Sequence, residues 1–334
     1  MVVAFLNLLG TKNLLEWKKE VADDNMKTID GVIRTKIVDA RTDPLEGYKE
    51  CFPDNDFLLK NVEKASITSF KHIFKSKDTL VLGAENVSLF VKQLSNFVAN
   101  LYIESSKPFI RKFNDIEAVE SDRYFSRDIT GKLVGHKVFP ILYRGGLSFD
   151  ETSCFIKEEE EYTCDRNNYH EKYNKNDPTY LKAVELEHIQ KGPRLFCDKS
   201  VVDELEDKSM IRYVDKQKDI YEIVWTVEGC EATGCSKEEK YNVADRIKTL
   251  MLPAAINLYC YYLKIEAGQE ILDHYKELLE LVCRGIVRYA DIKCIEAEDA
   301  LKEINKKLDE NNLEPYTMED LMEGFLDKDD KRKS

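Results

Sequence analysis

The chain has 334 residues, of which 43% are hydrophobic and 34% charged; this describes a folded globular protein with room for two domains, or one with a large extension, and excludes a disordered one. Its 63 acidic residues outweigh 50 basic ones, for a formal net charge of −13, which excludes broad, sequence-independent nucleic-acid binding but leaves room for a local basic pocket. No apolar run approaches the roughly 18 residues needed to span a membrane, and no basic region precedes the apolar N-terminus as in a signal peptide; the expected location is cytoplasmic.

The run Val2–Leu6 is unbroken and apolar, which predicts a strand buried on both faces at the centre of a sheet. Asn7 is the one polar group at its end, followed by Leu8, Leu9 and the turn glycine Gly10. The end of a central strand is where such sheets place ligand groups, although Asn7 could equally close a turn. Residues Lys12–Met26 read as a helix, Gly31–Ala40 as extended, and Arg41–Asp56, with two prolines, as a surface loop. Two β-prone runs, Ile67–Phe74 and Thr79–Leu82, flank Lys77-Asp78 and predict a hairpin with a lone carboxylate at its turn. A helix follows from Glu85 or Asn86, with Phe90, Leu94, Phe97 and Leu101 at helical spacing.

Val138–Phe149 reads as a strand containing Gly145-Gly146, a pair that marks a bulge or a close approach by another backbone. The row Glu158–Glu161 reads as solvated. Pro178 opens a helix over Thr179–Gln190 that Gly192-Pro193 ends. Arg194–Cys197 and Tyr221–Val227 are the last strands. From about Ser236 the composition turns helical: a helix over Ala254–Leu263 behind Pro253, a stripe at Ile271, Tyr275, Leu278, Val282 and Ile286, and another at Ala297, Leu301, Ile304 and Leu308. Thr317 with Asp320 forms a capping pair ahead of Leu321. These features divide the chain into an α/β unit over 1–228, a helical extension over 236–327 and a loose charged tail over 328–334. Nine cysteines, an odd number without a C-x-x-C pair, indicate reduced thiols; Cys154, Cys164 and His170 are a weak metal set without a fourth ligand at motif spacing.

Four short stretches then carry a resemblance. Ala4-Phe5-Leu6-Asn7-Leu8-Leu9-Gly10 is similar to A-F-x-D-I-L-G, and Ser76-Lys77-Asp78-Thr79-Leu80-Val81 to F-S-D-S/T-I/L-V. Arg144-Gly145-Gly146-Leu147-Ser148 is similar to R-G-G/A-I-S/T, and Ala183–Glu187 with Pro193-Arg194-Leu195 to A-Y-x-L-E followed by P-R-I. In this order, over roughly 1–228, they resemble the class III nucleotidyl cyclases, and more narrowly the bacterial pyrimidine nucleotide cyclases of the Pycsar antiphage systems. None of the four is specific alone.

The resemblance implies an α+β fold: a cyclase-like (ferredoxin-like), mostly antiparallel sheet with covering helices, followed here by the C-terminal helical extension. It implies a homodimer with its site between two copies, and conversion of a nucleoside triphosphate, UTP or CTP, to a 3′,5′-cyclic nucleotide and pyrophosphate. Two Mn²⁺ or Mg²⁺ ions bridged by two carboxylates would activate the attacking oxygen and neutralise the triphosphate. Carried onto this chain, the metal positions are Asn7, the Leu8 carbonyl and Asp78, with Asp78 and Arg144 as catalytic groups and Leu8, Gly10 and Thr11 against the nucleotide.

The chain departs from the pattern in having Asn7 where the first aspartate belongs, because an amide supplies no charge and bridges two cations poorly. Leu181 and Glu185 occupy the positions at which many class III enzymes carry an Asn and an Arg. Two further readings therefore stand beside an active cyclase. One is a catalytically silent cyclase-fold protein serving as nucleotide sensor or partner-binding subunit. The other is a protein–protein scaffold using its acidic face and helices.

Overall fold

In a computed structural model, which describes residues 1–9, 70–76, 78–111, 123–127, 133–137, 140–153, 155, 173–228, 251–292 and 297–326, the N-terminal apolar run forms β1 (Val2–Leu8). The hairpin follows as β2 (His72–Ser76) and β3 (Thr79–Ala84), with Ser76 opposite Thr79 and Asp78 in its turn. Helix α1 (Val87–Arg111) starts where the Asn86 side chain accepts the Leu89 N–H at 2.9 Å, satisfying one of the donors a helix start leaves unpaired. A separate pair, β4 (Arg123–Arg127) and β5 (Leu133–Lys137), precedes β6 (Tyr143–Phe149). Then come α2 (Pro178–Glu187), β7 (Leu195–Asp198), the short α3 (Lys199–Asp203), β8 (Ile211–Asp215), β9 (Ile220–Ile223) and one turn of helix, α4 (Trp225–Glu228). The C-terminal part supplies α5 (Leu252–Lys264), α6 (Gln269–Ile292), α7 (Ala297–Asp309) and α8 (Met318–Met322).

The main sheet has seven strands in the order β2-β3-β1-β6-β7-β9-β8. It is mixed but mostly antiparallel, since only β6 and β7 run parallel. The chain is thus an α+β protein, and among its described residues no helix is long and apolar enough to cross a membrane. β1 is interior as its composition requires, but it stands third; the fourth, central strand is β6.

β1 is buried on both faces. Val2, Ala4, Leu6 and Leu8 join the large apolar cluster with Phe90, Leu94, Phe97 and Leu101 of α1, while Val3 joins Phe74, Val81 and Phe155 in a smaller one. On that second face Phe5 meets Tyr180 of α2 edge to face, at 5.9 Å between ring centres. Asp177 opens α2, accepting the N–H groups of Thr179 and Tyr180, and Pro178 takes the first helical position. The C-terminal helices share the large cluster with the sheet: Leu278, Val282 and Ile286 of α6 and Ile304 and Leu308 of α7 lie in it. Thr317 and Asp320 form the expected capping box.

Several boundaries differ from expectation. Strand β9 ends at Ile223, and Trp225–Glu228 is helical, because Trp225 Nε1 donates to Pro193 O at 2.8 Å and the Thr226 hydroxyl to Leu281 O at 2.9 Å. Helix α2 ends at Glu187, three residues short of Gln190. Gly145 and Gly146 sit in a continuous register with Leu6 and Phe5, so the pair is a close approach and not a bulge. Strand β8 was not foreseen, nor was the β4–β5 pair. The outer edge of β8 is covered by the chain end: Tyr213 N–H bonds Gly324 O at 2.8 Å, and Leu326 N–H bonds Ile211 O at 3.0 Å. The expected helix over Lys12–Met26, the extended Gly31–Ala40, the loop Arg41–Asp56 and the set Cys154, Cys164 and His170 lie outside the described residues.

Candidate functional site

Three neighbouring strands, β3, β1 and β6, bring the sequence-derived residues to one end of the sheet. Asn7 stands opposite Thr79 on one side and Arg144 on the other. Asp78 sits beside it in the hairpin turn, with its carbonyl accepting the Leu8 N–H at 2.8 Å. Asn7 and Asp78 are therefore diagonal neighbours across one strand pairing. Among the described residues the Asp78 carboxylate meets one donor, the Thr79 hydroxyl, at the long distance of 3.5 Å. Gly10 and Thr11 lie outside the described residues.

Arg144, opposite Asn7 on β6, pairs with α2. Its Nε donates to Glu187 Oε1 at 2.6 Å, and Glu187 has no exposed side-chain surface while Arg144 keeps 19%. The contact exists because α2 lies directly on β6. A Cβ built on Gly146 would stand 2.0 Å from Ala183 O and 2.7 Å from Glu187 N, a space only glycine leaves open. The glycine two places after Arg144 thus admits the helix whose last residue holds it. His274 of α6 is close by. Its Nδ1 accepts the Gly192 N–H at 3.0 Å, and burial first, then the Arg144 charge, hold its pKa below the ordinary imidazole value.

Sequence reasoning gave Glu187 no role beyond a motif match, and did not single out His274. A signal for Glu187 was present: it follows Ala183 by four residues, so it belongs to the buried side of an amphipathic helix. Leu181 and Glu185, at the positions of the absent Asn and Arg, lie on the outside of α2; Leu181 is 49% exposed, and Glu185 pairs with Lys182 at 3.1 Å.

Among the described residues, the side-chain donors for a cation at this end are one carboxylate, Asp78, and the neutral amide of Asn7. Among the described residues no three His, Cys, Asp or Glu side chains gather into a metal-binding group. Of three other aspartates that could supply a second carboxylate, Asp39, Asp150 and Asp177, two are engaged elsewhere. Asp150 follows the far end of β6, where its carboxylate accepts the Thr152 N–H at 2.7 Å, and Asp177 caps the opposite end of α2 from Glu187; Asp39 lies outside the described residues. An amide and a carboxylate do not supply the bridging pair that two divalent cations need. The described donor set does not fit a two-metal centre.

The fold and this strand end define an α+β protein with one carboxylate uncommitted among the described residues, one amide and one braced arginine at adjacent strand positions. No protein-family model matches the chain, and neither the curated proteins nor the solved structures contain a significant match to it.

Proposed function

We propose that the chain is a cyclase-type nucleotide-binding protein that recognises a pyrimidine nucleoside triphosphate without turning it over, acting as a sensor or partner-binding subunit. What carries the reading is the convergence of Asn7, Asp78 and Arg144, matched to the resembling family's motifs, at one end of β3, β1 and β6. The strand order β2-β3-β1-β6, with α1 between β3 and β6, is also that of a ferredoxin-like sheet. Arg144 offers positive charge to a phosphate chain, and Asn7 offers a donor and an acceptor without charge. By the same resemblance, a second copy of the chain completes the nucleotide cleft.

An active cyclase is the second reading, favoured by the uncommitted Asp78 carboxylate. It requires a second carboxylate from residues outside the described ones; of Asp39, Asp150 and Asp177, Asp39 alone lies there. One experiment separates the two. The purified protein is titrated calorimetrically with each of the four nucleoside triphosphates, with and without EDTA, and incubated with each plus Mn²⁺ while cyclic nucleotide is assayed. On the first reading UTP or CTP binds in EDTA, the parent makes no cyclic product, and Asn7→Asp makes binding dependent on Mn²⁺. Cyclic nucleotide formed by the parent and lost in Asp78→Asn would establish the second reading. Binding of no nucleotide would sink both.

A further inference from the structure

Among the described residues the arginines differ in how many of their nitrogens are bonded; Arg212, like Arg144, is bonded through Nε alone, to the buried Glu222, but keeps 12% of its side chain exposed and lies on β8, away from Asn7. Arg194 is closed: its side chain is 3% exposed, its Nε and Nη2 bond Glu277, and its Nη1 bonds both oxygens of Glu222 at 2.8 and 2.9 Å. Arg288 likewise spends all three nitrogens, on Ser209 O, Asp291 and Leu326 O. Arg144 is open. Only its Nε is bonded among the described residues, its side chain keeps access to solvent, and it stands across from Asn7.

Its partner is placed against the ordinary preferences of a carboxylate. Glu187 is wholly buried, and it ends a helix, where the backbone carbonyls already present negative charge. Its Oε2 lies against His188 Nδ1 without a hydrogen bond of good geometry and has no other partner among the described residues. A pair kept only for packing would do better as two apolar side chains. What this geometry does achieve is to fix a guanidinium by its inner nitrogen while leaving the outer fork, Nη1 and Nη2, for a ligand.

We infer that Glu187 is a positioning residue that holds Arg144 so that its two terminal nitrogens grip the oxygens of a phosphate chain arriving at the Asn7 end of β1. This rests on the proposed nucleotide site and names the group that makes it selective for a polyphosphate. A planar fork matches two phosphate oxygens at once, and bracing at Nε removes rotamer freedom that binding would otherwise have to freeze. A point charge such as lysine cannot serve both the buried carboxylate and the ligand.

The test uses charge-conserving variants of the full chain and inorganic tripolyphosphate as probe, in EDTA, with UTP and CTP in parallel. Arg144→Lys should weaken tripolyphosphate binding about tenfold, the scale of one charge-assisted hydrogen bond. Glu187→Asp, one methylene shorter, should weaken it to a similar degree, since it draws the guanidinium back. The double variant should bind no worse than Arg144→Lys alone, because Glu187 acts only through Arg144. Melting curves accompany each variant, and if Glu187→Asp does not fold, Glu187→Gln takes its place in the same cycle. Overturning results are a Glu187 variant that binds as the parent does, losses that add in the double variant, or a parent that does not bind tripolyphosphate. Should UTP and CTP bind with no dependence on either residue, the nucleotide site stands and this inference falls. Should tripolyphosphate bind through Arg144 while nucleotides bind no better, the inference stands and the nucleotide reading falls.

Discussion

Gly146 offers the sharpest test of how this strand end is assembled. A methyl group there would meet two backbone atoms of α2, Ala183 O at 2.0 Å and Glu187 N at 2.7 Å, where ordinary contact begins near 3.4 Å. Backbone atoms cannot rotate aside, so the helix must retreat by more than an ångström from β6 and take Glu187 away from Arg144. Overpacking of this kind costs about 1–3 kcal/mol, and a rigid obstacle belongs at the upper end. The alanine also restricts the unfolded chain, which returns about 0.4–1 kcal/mol. The net loss for Gly146→Ala is therefore about 2–2.5 kcal/mol, or a melting point lower by about 4–10 °C. Gly145→Ala is the control on the opposite face. Its nearest obstacle is the flexible end of Leu6, Cδ2 at 2.4 Å, with Leu195 Cδ2 and Phe5 O at 3.0 Å, so its cost should stay below about 1.5 kcal/mol. Thermal melts by circular dichroism compare the two directly. If Gly146→Ala melts with the parent, or no lower than Gly145→Ala, α2 does not rest on β6 as described and the placing of Glu187 fails with it.

Two further outcomes follow from the buried charges. Arg194→Met should lower the urea midpoint by the equivalent of up to about 3 kcal/mol, since the fully buried Glu222 is left with Arg212 alone and Glu277 loses its partner; a midpoint within error of the parent would show that Arg194 does not hold the network together. His274 should make the protein sensitive to mild acid. Burial, then Arg144, hold its folded pKa below the 6.5 of a free imidazole, so the unfolded chain takes up the proton first. Its contribution to stability is complete above that value and is lost as pH falls through it toward the folded pKa. His274→Gln should therefore flatten the stability profile as pH falls from about 7.5 through the free-imidazole value; parallel profiles for parent and variant would rule this out.

How much of this was legible in the sequence depends on the range of the interaction that decided each element. Val2–Leu6, the Lys77-Asp78 hairpin, the Phe90–Leu101 stripe and the Leu278–Ile286 stripe are local patterns whose period states the answer. Trp225-Thr226-Val227 looked extended because all three residues favour strands, yet distant carbonyls of Pro193 and Leu281 draw the first two into a helical turn. Ile211–Asp215 was missed because an edge strand buries little and its outward hydrogen bonds go to residues more than a hundred positions later. The candidate site shows the same division. Asn7, Asp78 and Arg144 could be named from short motifs, whereas the Glu187 brace exists only once the register of β6 and the seating of α2 on Gly146 are known.

The departure at Asn7 bears on its neighbour Arg144. A carboxylate at the position of Asn7 would face a triphosphate with two like charges, Asp78 being the other, and only cations between them could make binding favourable. The amide removes one of those charges, and Arg144 supplies a positive group that needs neither metal nor proton to stay charged. Such a pair suits capture of a polyphosphate in the absence of divalent ions. It suits two-metal catalysis badly, because the one carboxylate left at this end, Asp78, cannot alone bridge two cations. On the proposed reading, the same exchange of carboxylate for amide that weakens turnover is what permits metal-free recognition, with the braced arginine assuming the role that cations hold in the cyclases the chain resembles.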